Sequence, residues 1–180
     1  MKSNKFVLIF LIKAIALYVF WYLVYDLWLK KVGIIDNLIV DNMIYVVYEI
    51  LTAFGYLLNV DYHTIGIGGG VTSVFIATGC TGIELMALFA GFVIIFEGNW
   101  KNKLWYIPLG LLILHFLNIL RVIALMFIGR YSQEMLEFNH KYTFTIVMYI
   151  ITFIGWMIWV KYFSKINDSG SIDDEKVKSK

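Results

Sequence analysis

A single cysteine in 180 residues allows no internal disulfide and no multi-cysteine metal site, and the count alone assigns no redox compartment. Proline is as scarce, with one residue, which argues against long irregular regions. Charge is thin too: Asp, Glu, Lys and Arg make up 16% of the chain, against about 25% in soluble domains. The net charge of +2 is too small to imply a nucleic-acid partner, and the basic residues gather at segment ends rather than along one stripe. There is no His-Glu-x-x-His motif, paired acidic loop or multi-histidine cluster to suggest a metal. The triplet Gly68-Gly69-Gly70 lacks the lysine and following helix of a phosphate loop, so nucleotide binding is not expected. No cofactor is expected.

What is present is apolar surface. The chain is 61% hydrophobic and 18% aromatic, with a mean hydropathy of +0.77, which reads as an integral membrane protein living in a lipid bilayer. The expected fold is an all-α bundle in one domain over 1–163, with four spans at about 6–25, 82–97, 104–128 and 142–162. The first run has no small-x-small cleavage site after it and reads as a retained signal anchor, with Lys13 snorkelling or facing the bundle. The tail 164–180 is rich in Ser, Asp and Lys and reads as disordered and cytoplasmic.

The stretch 42–59 carries Met43, Ile44, Val47, Ile50, Leu51, Phe54, Leu57 and Leu58 on one side and Asn42, Tyr45, Glu49, Thr52, Tyr56 and Asn59 on the other. So regular a polar stripe suits an interfacial helix better than a span. Residues 60–77 then read as a β-hairpin around the glycine triplet. With both termini and the Lys101/Lys103 connector inside, six near-membrane basic residues lie inside against four outside, a slight positive-inside bias. In that topology 42–59 does not cross, and Cys80 faces the outside of the plasma (inner) membrane.

Cys80 lies in Thr78-Gly79-Cys80-Thr81-Gly82-Ile83-Glu84, at the outer mouth of the second span. Arg121 lies in the outward half of the third span and His140 at the outer start of the fourth, so the three share one depth zone. A thiol, a guanidinium and an imidazole are the parts of a cysteine acyl-transfer site. The thiolate is the nucleophile, an imidazole can take its proton, and a guanidinium can steady an oxyanion. Asn118, one turn from Arg121, can orient either group.

Each residue also has a structural reading. A lone cysteine is commonly a small buried hydrophobe, and Gly79 and Gly82 beside it permit close approach. Arg121 can be held in an ion pair with Glu84, one helical turn below Cys80. His140 in Asn139-His140-Lys141 has the context of a solvated loop histidine. His115 competes as the base but lies deeper, where a buried polar contact suits it better; His63 has no convincing partner. A non-enzymatic membrane subunit with a structural Arg121–Glu84 pair is the alternative function. A transporter or channel would need polar residues through to the inner face, and the inward halves of the spans are nearly uniformly apolar.

At Cys80-Thr81-Gly82, Asn118-Ile119-Leu120-Arg121 and His140 the chain resembles the exosortase/archaeosortase family, in particular a compact bacterial branch. The resemblance covers about 42–160, with Thr81 where a serine is commoner and no glycine after His140. It implies a cysteine protease or transpeptidase with Cys80, Arg121 and His140 as catalytic residues and Thr81, Gly82, Glu84 and Asn118 in support. It also implies substrates with a C-terminal short motif, transmembrane helix and basic tail, and an acceptor that is water or a glycan or lipid amine.

Overall fold

The computed structural model describes residues 2–68, 72–76 and 80–163 and is mostly helical. Helix α1 (Lys2–Trp21) runs through a π-helical stretch, Tyr22–Leu29, and the short α2 (Lys30–Val32) to α3 (Ile34–Ala53). Strands β1 (Leu58–Asp61), β2 (Thr64–Ile67) and β3 (Thr72–Phe75) follow, then α4 (Ile83–Ile95) and α5 (Trp100–Gly129). The chain closes with α6 (Gln133–Phe138), a π-helical turn, Asn139–Thr143, and α7 (Phe144–Tyr162). Gly69, Gly70, Gly79 and the tail 164–180, read from sequence as a turn, a flank of Cys80 and a disordered segment, lie outside the described residues.

Among the described residues two helical units are long and apolar enough to cross a membrane, Trp100–Gly129 and the continuous Gln133–Tyr162, each of 30 residues. At about 1.5 Å per residue, each rises about 45 Å against a hydrocarbon layer of about 30 Å. The run expected to span over 82–97 forms only the 13-residue α4, a rise of roughly 20 Å. Gly82 enters α4 in the left-handed region (φ 71°) and Phe96 leaves it extended (φ −69°, ψ 144°). The carbonyls freed at that end are capped from α5, where Lys103 Nζ donates to Ile94 O and Phe96 O, both at 2.7 Å. Lys103, counted from sequence as a surface charge, is thus a buried helix cap.

The amphipathic stretch is helical but shifted: α3 begins at Ile34, ahead of residue 42, and stops at Ala53. The stop is a Schellman motif, with Gly55 at φ 83°, Gly55 N donating to Thr52 O (2.8 Å) and Tyr56 N to Leu51 O (3.1 Å). Asn42, Tyr45, Glu49 and Thr52 are exposed as expected, while Val40, Met43 and Val47 are 0% exposed. Protein, not lipid, covers that apolar stripe: Ile65, Ile67 and Ile76 from the sheet and Ile119, Val122 and Met126 from α5 pack on it. The expected hairpin gains a third strand, giving an antiparallel sheet ordered β1-β2-β3 with Leu58 opposite Ile67 and Ile65 opposite Val74.

The first half of α5 belongs to a second core with α4 and α7, built on Phe89, Val93, Tyr106, Leu114, Met148 and Trp159. Phe89 sits in a notch made by two glycines. A Cβ on Gly110 would overlap the Phe89 ring, and one on Gly155 would lie 2.9 Å from Phe89 Cε2. Tyr106 Oη donates to Gly155 O at 2.7 Å, drawing α7 onto α5. Small residues that admit a neighbour this closely are the usual device of apolar helix bundles. Gly110→Leu should therefore lower the unfolding temperature in detergent, by an amount equivalent to about 1–3 kcal/mol. Adding Phe89→Ala to that variant should recover part of the loss. The two cores share α5, and the candidate site lies beside the sheet-side core at the start of α4.

Candidate active site

Cys80 is held by a turn that joins the sheet to α4. Thr81 is fully buried, with its Oγ1 accepting from Ile83 N (3.4 Å). Gly82 at φ 71° takes a conformation that side-chain-bearing residues rarely adopt, and a Cβ there would stand 3.3 Å from Asn118 Nδ2. Asn118, fully buried on α5, donates Nδ2 to Cys80 O at 2.7 Å. The motif Cys80-Thr81-Gly82 is thus a tight turn clamped to the middle of α5, which fixes the position of the sulfur.

Arg121 follows Asn118 by three residues and so projects from the same face of α5, one turn on. Its Nη2 donates to His140 O at 3.1 Å, and Thr145 Oγ1 donates to the same carbonyl at 3.2 Å. The sequence context of His140 suggests a loop; the structure puts it inside a helix. Ser132 Oγ caps the start by accepting from Met135 N (3.3 Å), and the helix then loosens so that Phe144 N donates five residues back, to Asn139 O. Such single-turn π-bulges re-aim side chains and recur at functional sites. Here the bulge turns the ring towards α4, and His140 Nε2 lies 3.0 Å from Cys80 Sγ.

A pocket opens at this meeting point. Val74, Phe75 and Ile76 line it from the sheet side, and Arg121, Val122 and Leu125 from α5, with Cys80 and His140 completing it. Its free volume is about 20 Å³, room for one water-sized group. Among the described residues Arg121 Nε is buried without a hydrogen-bond partner. A guanidinium with a spare donor, set among apolar walls, favours negative charge developing beside it.

The structure therefore brings together Cys80, Thr81, Gly82, Asn118, Arg121 and His140. It places Glu84 elsewhere. That carboxylate is 71% exposed and lies 3.8 Å from Lys30 Nζ, so the Arg121–Glu84 pair considered from sequence is not formed. Glu84 is the residue after Ile83 on α4, and its side chain lies beside Lys30 of α2. His115 bonds Asn42 Oδ1 at 2.9 Å and ties α5 to α3, away from the sulfur. His63, without a partner in the sequence reading, lies 3.6 Å from Asp41 and stacks on Tyr62. Thr145 escaped sequence reasoning altogether, since a threonine five residues past a histidine carries no signal until a π-turn faces them.

A family model of the transmembrane exosortase matches residues 6–163, most of the 180-residue chain. The chain belongs to the transmembrane exosortase family. No curated protein and no solved structure matches it. The matched range holds every element that builds the site, from β3 to the start of α7. Membership makes this exosortase a transmembrane protein connected with sorting, the family to which its motifs also point.

Proposed function

We propose that this exosortase is a membrane-embedded cysteine protease or transpeptidase, with Cys80 as nucleophile, His140 as general base and acid, and Arg121 as electrostatic stabiliser. The observation that carries the reading is the 3.0 Å separation of Cys80 Sγ and His140 Nε2, two groups 60 residues apart that the fold brings into hydrogen-bond range. His140 takes the thiol proton as sulfur attacks the scissile carbonyl. Negative charge moves onto the carbonyl oxygen, near the guanidinium of Arg121. Collapse of that intermediate breaks the C–N bond, and His140 returns the proton to the leaving amine. A thioester on Cys80 remains, which water or a glycan or lipid amine then cleaves, restoring the thiol. Asn118, Thr81 and Gly82 hold the sulfur in place.

In this reading the substrates are exported proteins whose C-terminus carries a short motif, a transmembrane helix and a basic tail. The protein is multipass in the plasma (inner) membrane, with both termini cytoplasmic and the site facing outwards. The competing picture, a non-enzymatic subunit glued by an Arg121–Glu84 pair, loses its basis because Glu84 lies beside Lys30. The test uses a reporter fused to such a tail and co-expressed with the exosortase in membranes. Hydroxylamine should intercept the acyl group and leave a hydroxamate at the new C-terminus of the shortened reporter, read by mass spectrometry. A reporter that is shortened without ever acquiring the hydroxamate would argue against a thioester route.

A further inference from the structure

We infer that the substrate segment around the scissile bond binds as a fourth strand on the outer edge of β3, which delivers it to Cys80. This rests on the protease reading above and names how that site holds its peptide. The parity of the ladder identifies the free edge. Ile76 N donates to His63 O at 2.9 Å, continuing the pairs Ile65–Val74 and Ile67–Thr72. In an antiparallel pair, hydrogen-bonded residues alternate, so Thr72, Val74 and Ile76 aim their backbone groups at β2. Ser73 and Phe75 aim theirs the other way. The far side of β2 agrees: Gly68 N donates to Leu57 O, which leaves Gly66 and Thr64 as the residues facing β1.

β3 is last in the strand order, so among the described residues no strand pairs with that edge. Ser73 and Phe75 are both exposed, Phe75 at 60%. Natural edge strands are usually guarded by lysine, proline or a bulge, and Thr72-Ser73-Val74-Phe75 has no lysine or proline. The pocket then joins the end of this strand to the sulfur, since Val74, Phe75 and Ile76 share it with Cys80 and His140. The free edge of β1 carries no such connection. Strand addition recognises any extended peptide through its backbone and places its carbonyls at a fixed spacing along the edge. A protease needs both properties at its thiol.

Labelling of Cys80 in the purified full-length exosortase tests this without knowledge of the natural substrate. The peptide probe is an equimolar mixture of acetyl-tripeptidyl chloromethyl ketones, which alkylate sulfur with loss of chloride; the small probe is iodoacetamide. Ser73→Pro removes an outward N–H that the β2 ladder does not use, at an exposed residue outside the pocket lining. It should slow peptidyl labelling about tenfold while iodoacetamide labelling keeps its rate. Backbone N-methylation of the probe mixture should slow labelling of the unaltered protein by a similar factor. This second arm decides the matter if Ser73→Pro also changes the iodoacetamide rate. Parent-like labelling by the N-methylated mixture, or by the peptidyl probe in a Ser73→Pro variant that reacts normally with iodoacetamide, overturns the strand-addition inference alone. Failure of iodoacetamide to modify Cys80 in the unaltered protein would instead remove the nucleophile, and the proposed function with it.

Discussion

Cys80→Ala should reduce processing of a tailed reporter to background, with the variant still inserted and folded. No other group described at the site offers an activated nucleophile: the pocket is otherwise lined by aliphatic and aromatic side chains, Arg121 and His140. Removing the nucleophile of a hydrolase that works through a covalent acyl intermediate can cost on the order of 10⁶ in rate. The fold should tolerate the change, because the turn is held by Asn118 Nδ2 on the backbone carbonyl of residue 80, not on the sulfur. Cys80→Ser is the stricter version. It preserves size and a hydrogen bond to His140 Nε2, yet replaces a thiol with an alcohol that ionises far less readily, so it should be nearly as inactive. Processing and unfolding temperature measured on the same preparations check both variants. A Cys80→Ala protein that shortens the reporter at the parent rate would end the cysteine reading.

Arg121 carries the second-largest expected effect because it acts twice. Its Nη2 holds the His140 carbonyl, and its side chain lines the pocket in which the oxyanion would form. Arg121→Met should therefore lose at least the 10²–10³-fold in kcat typical of a single oxyanion donor, a cost of about 3–4 kcal/mol. Displacement of His140 would add to that. Arg121→Lys separates charge from geometry: the ammonium keeps the charge but lacks the planar fork, so it cannot serve the carbonyl and the pocket together. It should fall between the parent and Arg121→Met. If the two residues serve one step, Cys80→Ala combined with Arg121→Met should be no worse than Cys80→Ala alone. An Arg121→Met protein with full activity would mean that the guanidinium is only a helix tie.

The geometry of the candidate site was legible because its parts are short-range commitments. Cys80-Thr81-Gly82 needs a residue tolerant of positive φ and a hydroxyl to cap the turn, and Asn118 and Arg121 are one helical turn apart on α5. Those features are written locally, and the apolar composition leaves few other polar groups for them to meet. His140 was harder. Its context suggests a loop, and in the π-turn that aims it Arg121 reaches its carbonyl from another helix, a tertiary contact, alongside Thr145. The role of Glu84 was misjudged for the converse reason: helical periodicity places it one turn from Cys80, but only packing shows that Lys30 is its neighbour.

The fold followed the same division. The polar and apolar stripes of α3 were correctly separated, yet amphipathicity cannot distinguish lipid from protein as the apolar partner, and here the partner is the sheet and α5. Its end was readable from Gly55, the left-handed stop, but the helical spacing of Leu57 and Leu58 carried the expected helix into what became β1. The end of α4 is capped by Lys103 reaching back from α5, a contact that no window of hydropathy contains.

The most direct test of the central claim is the mass of the Cys80 peptide from exosortase quenched in acid during turnover of a tailed reporter. The account predicts an adduct on Cys80 equal to the reporter fragment upstream of the cleavage site, sensitive to hydroxylamine and more abundant when the acceptor is withheld. Active enzyme that never carries an adduct on Cys80, or carries it on another residue, would contradict it.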